Sequence, residues 1–94
     1  MKNNCLIIYL HGMPQATKYY RQDDFLKKVG EKVRAVRIEK GLTQTDLAFK
    51  CNDKDYSQIN RLELGKVNFS VSYLYLIANA LEIKPSDLLP DEIE

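Results

Sequence analysis

Two helix-start signals standing close together constrain this chain more than any other feature. Thr43-Gln-Thr-Asp46 and Asp55-Tyr-Ser-Gln58 each pair an N-cap oxygen with a side chain three residues on that can reach back to the cap. Asn52-Asp53 between them reads as a turn, because Asn and Asp tolerate the left-handed backbone better than other non-glycine residues. Two short helices therefore fit into residues 43–63. The first turns Leu47, Ala48 and Cys51 inward, and the second turns Ile59 and Leu62 inward. Helices of this length are not stable alone, so both must pack on longer neighbours.

The neighbours are visible on either side. Leu26, Val29, Val33 and Val36 form one apolar stripe of a helix from about Asp24 to Lys40, ended by Gly41 at C′ with Leu42 as the following contact. Ser70 suits the N-cap of the next helix, whose stripe is Val71, Leu74, Ile77, Ala78 and Leu81. Pro85 fits the first turn of a last short helix through Leu88 and Leu89, and Pro90 stops it. The expectation is an all-α domain of five helices with short connections. At 94 residues the chain holds one such domain, residues 24–94, behind an N-terminal extension, residues 1–23.

The extension reads differently. Cys5-Leu-Ile-Ile-Tyr-Leu10 is strand-like in composition, and His11-Gly-Met-Pro14 breaks it. The run is too short to span a membrane and lacks the form of a signal peptide, so a cytoplasmic setting is expected. It is open to reading as a tail packed on its own domain, a strand given to a partner, or a consequence of the start codon, with Met13 the natural first residue. "IIYLHG" has the look of a strand leading to an oxyanion-hole loop, but there is no G-x-S-x-G and the chain is far too short for that fold. An enzyme is not expected. Cys5, Cys51 and His11 do not supply four ligands at zinc spacing, so no metal and no cofactor is expected; Cys51 suits a small core position.

The net charge of +1 conceals an asymmetry. Residues 25–66 carry ten Lys/Arg against six Asp/Glu, a net +4; residues 67–94 carry one lysine against five acids, a net −4. The basic part contains "YSQINRLE", where Tyr56, Ser57, Asn60 and Arg61 lie opposite Ile59 and Leu62. That face is rich in hydrogen-bonding groups where a solvated helix would carry Glu and Lys. Two short helices and a turn form a helix-turn-helix, whose second helix enters the major groove of DNA. Uncharged polar side chains and arginine can read the donors and acceptors displayed there. Lys27, Lys28 and Lys32 read as a solvated face that could add phosphate contacts.

"VGEKVRAVRIEKGLTQTDLAFKC", "YSQINRLELGKVN" and "LYLIANALEIKPSDLL" together resemble the phage-repressor helix-turn-helix family, Cro/cI-like or XRE-like, over residues 26–89. The resemblance implies a five-helix DNA-binding domain, commonly a homodimer on a palindromic operator. It implies base-reading roles for Tyr56, Ser57, Asn60 and Arg61, and DNA-backbone roles for Thr43, Gln44, Lys54, Lys66 and Asn68. It also implies an internal ion pair between Arg37 and Glu63. Tyr56 could alternatively pack on the preceding helix. The turn at Asn52-Asp53 is one residue longer than is usual in the family, which bears on where the second helix starts. The function implied is a transcriptional regulator acting by operator occupancy. An antitoxin with a toxin protein as partner and a controller of a restriction–modification operon use the same domain. Tyr73, Tyr75, Leu76, Leu89 and Ile93 are candidates for a dimer interface.

Overall fold

A computed structural model of the chain describes residues 21–91. The strand-like run at 5–10, Met13 and the rest of residues 1–20, like Ile93, lie outside the described residues. Among the described residues four α-helices follow one another: α1 (Asp23–Glu39), α2 (Gln44–Lys50), α3 (Ser57–Glu63) and α4 (Val71–Leu81). A single 3₁₀ turn, Pro85–Leu88, takes the place of the expected fifth α-helix. Its length has a local cause. Pro85 sets the first position, and Leu89, which precedes Pro90, is extended (φ −95°, ψ 140°) as residues before proline tend to be. Four residues remain between these limits, enough for a 3₁₀ turn only.

The helix starts are local. Thr43 Oγ1 accepts from Asp46 N (3.0 Å) while the Asp46 carboxylate accepts from Thr43 N (2.9 Å), a complete capping box. Ser70 Oγ accepts from Tyr73 N (3.0 Å) at the head of α4. The expected second box does not form. The Asp55 carboxylate accepts from Ser57 N (2.9 Å), but Gln58 engages Arg61 instead of reaching back. An i+3 cation outcompetes the cap's neutral N–H for the Gln58 carbonyl oxygen.

The helix ends share one form. Each closes with a residue in the left-handed region: Gly41, Asn52, Gly65 and Glu82, at φ of +75°, +62°, +75° and +63°. Around them run paired bonds such as Leu42 N to Arg37 O (3.0 Å) and Gly41 N to Ile38 O (2.9 Å), the Schellman pattern that satisfies the last carbonyls. The same pairing recurs as Asp53 N to Ala48 O, Lys66 N to Arg61 O and Ile83 N to Ala78 O.

Val29, Val33, Leu47, Ile59, Leu62, Ile77, Leu81 and Leu88 are fully buried and draw every element into one core. Val71 departs from its expected inward place and is 82% exposed. It opens α4 directly after the cap and borders a groove of about 380 Å³ lined also by Phe25, Phe69, Leu74 and Leu89. Tyr73 packs against the core, and among the described residues its buried hydroxyl has no partner. No helix among the described residues is long and apolar enough to cross a membrane.

Candidate nucleic-acid interface

The α3 helix is held from two sides. Below it lies α1, and Gly30 makes the approach possible: a Cβ there would stand 2.4 Å from the Leu62 carbonyl oxygen and 2.6 Å from that of Glu63. Beside it lies the start of α2. Ile59, Leu62 and Glu63 face inward, and Arg61 and the preceding Tyr56 are exposed, with Ser57 and Asn60 half-buried. Tyr56 is 51% exposed, so about half of it is covered by the domain and half is accessible. The helical span opens at Ser57 with Tyr56 at its N-cap, already in helical conformation.

Arg37 and Glu63 join α1 to the end of α3. Arg37 Nε donates to Glu63 Oε2 (2.6 Å) and its Nη2 to Oε1 (3.1 Å), while Nη1 donates to the Leu42 carbonyl (2.8 Å). Both residues are buried. The guanidinium therefore ties three segments together: its own helix, the loop that leads into α2, and the last residue of α3. Gln44 extends the network. Its Nε2 donates to Glu63 Oε1 (2.9 Å) and to Asn60 Oδ1 (3.3 Å). Buried polar groups satisfied in this way fix the angle between α2 and α3.

The outer face is also organised. Arg61 Nη2 donates to Gln58 Oε1 (2.8 Å), one turn back on the same helix. Asp55 Oδ1 accepts from both the backbone and hydroxyl of Ser57 (2.9 Å each). Those two bonds, with the Arg61 charge a smaller contribution, hold the Asp55 carboxyl below its ordinary value. The Thr43 backbone and hydroxyl bonds do the same for Asp46. Thr43 caps α2, Lys54 is exposed in the turn, and Lys66 and Asn68 are exposed on the segment after α3. The Gln44 amide nitrogen, expected at the DNA backbone, is committed inside the protein.

Two contributors, Gln58 and Gly30, and one connection, that of Gln44, are not foreseen in the sequence. Gln58 was assigned to a cap, although its i, i+3 spacing to Arg61 was available as a signal. Gly30, an isolated glycine in a helical pattern, signals a close approach but not its partner. Gln44 carries no local sign of its tie to Glu63 and Asn60.

The comparisons with known proteins agree with this geometry. A helix-turn-helix family model matches residues 33–88. The restriction–modification controller protein C.AhdI from Aeromonas hydrophila is 38% identical, with 68% of this chain and 96% of that one covered at a TM-score of 0.65. The controller C.Esp1396I, solved as a tetramer with its natural 35 base-pair operator, is 34% identical, with 71% and 87% covered at 0.64. The DNA-binding domain of BldD shares the fold at 24% identity and a TM-score of 0.68, with 74% of this chain and all of that one covered. No curated protein matches the chain. With the matched segment running from the middle of α1 to the 3₁₀ turn, the chain belongs to the XRE-like helix-turn-helix family of DNA-binding transcriptional regulators.

Proposed function

We propose that the protein acts by occupying a palindromic operator as a homodimer, with α3 in the major groove, and that it serves as a controller of a restriction–modification operon. The observation that carries the reading is the polar outer face of α3 above a fully bonded interior. Tyr56, Ser57, Asn60 and Arg61 are assigned to the base edges, a reading supported by the Arg37, Glu63 and Gln44 bonds that hold the helix from below. Thr43, Lys54, Lys66, Asn68 and the backbone N–H of Gln44 at the head of α2 are assigned to the phosphates. Such contacts set register without reading sequence.

A dimer is supported by exposed apolar residues on and around α4. Val71 is 82% exposed and borders the groove together with Leu89, and Tyr75 and Leu76 are further exposed apolar groups of α4. Exposed apolar groups gathered in one place mark contact surfaces. Two copies would present two recognition helices to half-sites one helical turn apart, about 34–36 Å. The controller role is favoured by the 38% and 34% identity to two controller proteins, and C.Esp1396I was captured on its operator as a tetramer.

Selection of bound sites from random duplex DNA tests the proposal. A two-fold symmetric motif, bound by a dimer in sedimentation, supports it. A protein that stays monomeric at micromolar concentration and binds DNA one to one overturns the dimer. Enrichment of the selected motif upstream of adjacent methyltransferase and endonuclease genes supports the controller role. Stable co-purification with a small toxic protein would instead favour the antitoxin role.

A further inference from the structure

We propose that Asn60 reads its base pair as a hydrogen-bond donor, because Glu63 and Gln44 together dictate which way its amide points. This deepens the assignment of α3 as the recognition helix and rests on it.

The argument starts at the buried carboxylate. Glu63 is 6% exposed and doubly engaged by Arg37, and a carboxylate only accepts hydrogen bonds. The Gln44 group 2.9 Å from Glu63 Oε1 is therefore its NH₂, and its carbonyl faces the other way. Chemistry fixes this orientation, since the flipped amide would set two acceptors against each other. The second hydrogen of that NH₂ points at Asn60, 3.3 Å away. Only an acceptor can meet it, so Asn60 turns its oxygen toward α2 and its NH₂ away. The order set by one buried ion pair is thus handed through two amides to the surface of α3.

The consequence is a preference among bases. A free asparagine binds adenine with two bonds, accepting from N6 and donating to N7. With Oδ1 turned toward α2, the accepting half of that pair is withdrawn. What remains is an NH₂ group, suited to the O6 and N7 acceptors of guanine or the O4 acceptor of thymine and opposed by the N4 donor of cytosine.

The test is site selection from random duplex DNA with the full chain and three variants. Asn60→Ala should flatten one position in each half-site and leave the others, which identifies the base pair read. At that position the wild type should favour guanine or thymine over adenine and cytosine by on the order of tenfold. Gln44→Leu frees the amide, and the same position should widen to admit adenine with the rest of the motif unchanged. Asn60→Asp keeps an acceptor for Gln44 but removes the donor, so the guanine or thymine preference should vanish. That variant decides the matter should Gln44→Leu fail to fold. A Gln44→Leu motif identical to wild type at the identified position, or an Asn60→Asp motif that keeps the preference, overturns the relay. An unchanged motif with Asn60→Ala overturns Asn60 as a reader. A wild type that enriches no motif overturns the assignment of α3 itself.

Discussion

Gly30 on α1 lies so close to Leu62 on α3 that a single added methyl group would come within 2.4 Å of the Leu62 carbonyl oxygen. Backbone oxygens of the last turn of α3, fixed by the helix-ending bonds, cannot swing aside as a side-chain end can. Gly30→Ala should therefore push α3 off α1 and destabilise the domain by about 1–3 kcal/mol, despite alanine's better helix propensity. Thermal unfolding would read this as a fall of about 4–8 °C per kcal/mol in a domain of this size. A variant that melts like wild type would show that the two helices have room to give.

Removing Glu63 should cost more. Glu63→Ala strands the Arg37 guanidinium inside the domain and leaves the Gln44 amide without its acceptor. Breaking a buried pair from one side typically costs about 3–5 kcal/mol. Urea unfolding should show the loss in the absence of DNA, which separates it from any effect on binding.

The left-handed helix ends offer a matched pair of tests. Glu82 adopts φ +63° with a side chain that pays the steric penalty, so Glu82→Gly should stabilise by about 1 kcal/mol. Gly41 has φ +75° and nothing near its missing Cβ, so Gly41→Ala should destabilise by about 1 kcal/mol through backbone strain alone. Opposite signs in chemical denaturation are the expected outcome.

Tyr73 links stability to alkaline pH. Burial pushes its phenol up to about 12 from an ordinary value of 10, with the nearby Cys51 and Asp53 adding to the effect. Its folded form prefers the proton, so this contribution is complete below pH 10 and is lost as pH rises from there toward 12. Tyr73→Phe removes a buried hydroxyl that has no partner among the described residues. It should match or exceed wild-type stability by about 1 kcal/mol at neutral pH, and it should flatten the alkaline decline. Unfolding midpoints at neutral pH and near pH 11 measure both.

On DNA, Arg61 and Lys66 should fail in different ways. Arg61→Ala should cost about 1–3 kcal/mol on the operator and little on scrambled duplex. Lys66→Ala should weaken both alike and reduce the slope of log affinity against log salt by about one. Titrations at two salt concentrations distinguish them. Equal losses on both duplexes with Arg61→Ala would show that this face of α3 does not read sequence.

The parts of the fold that were legible in the sequence are those decided within a few residues. The Thr43–Asp46 box, the Ser70 cap, the left-handed Asn52 and the stripe from Leu26 to Val33 all follow from local chemistry. The expectations that failed did so where two local signals competed. Gln58 had a cap and a cation within reach, and Pro90 cut short a helix that Pro85 had opened. Val71 kept the period of its stripe at a point where the groove replaces the core. Arg37 and Glu63 are 26 residues apart in the chain, and family resemblance implied their pairing where no local pattern could. The tie from Gln44 to Asn60 had neither kind of signal.

The uniform Schellman endings have a consequence for how a regulator of this kind changes its target. Because α3 stops at a glycine turn of its own making and is gripped through Ile59, Leu62 and Glu63, its length and seat owe nothing to Tyr56 or the tip of Arg61. Those side chains can change without endangering the scaffold, so on the proposed reading new operators are reachable by single substitutions. Asn60 is not free in the same way. Any change there is also felt by Gln44, so on the proposed reading one letter of the operator is tied to the architecture while its neighbours are open to revision.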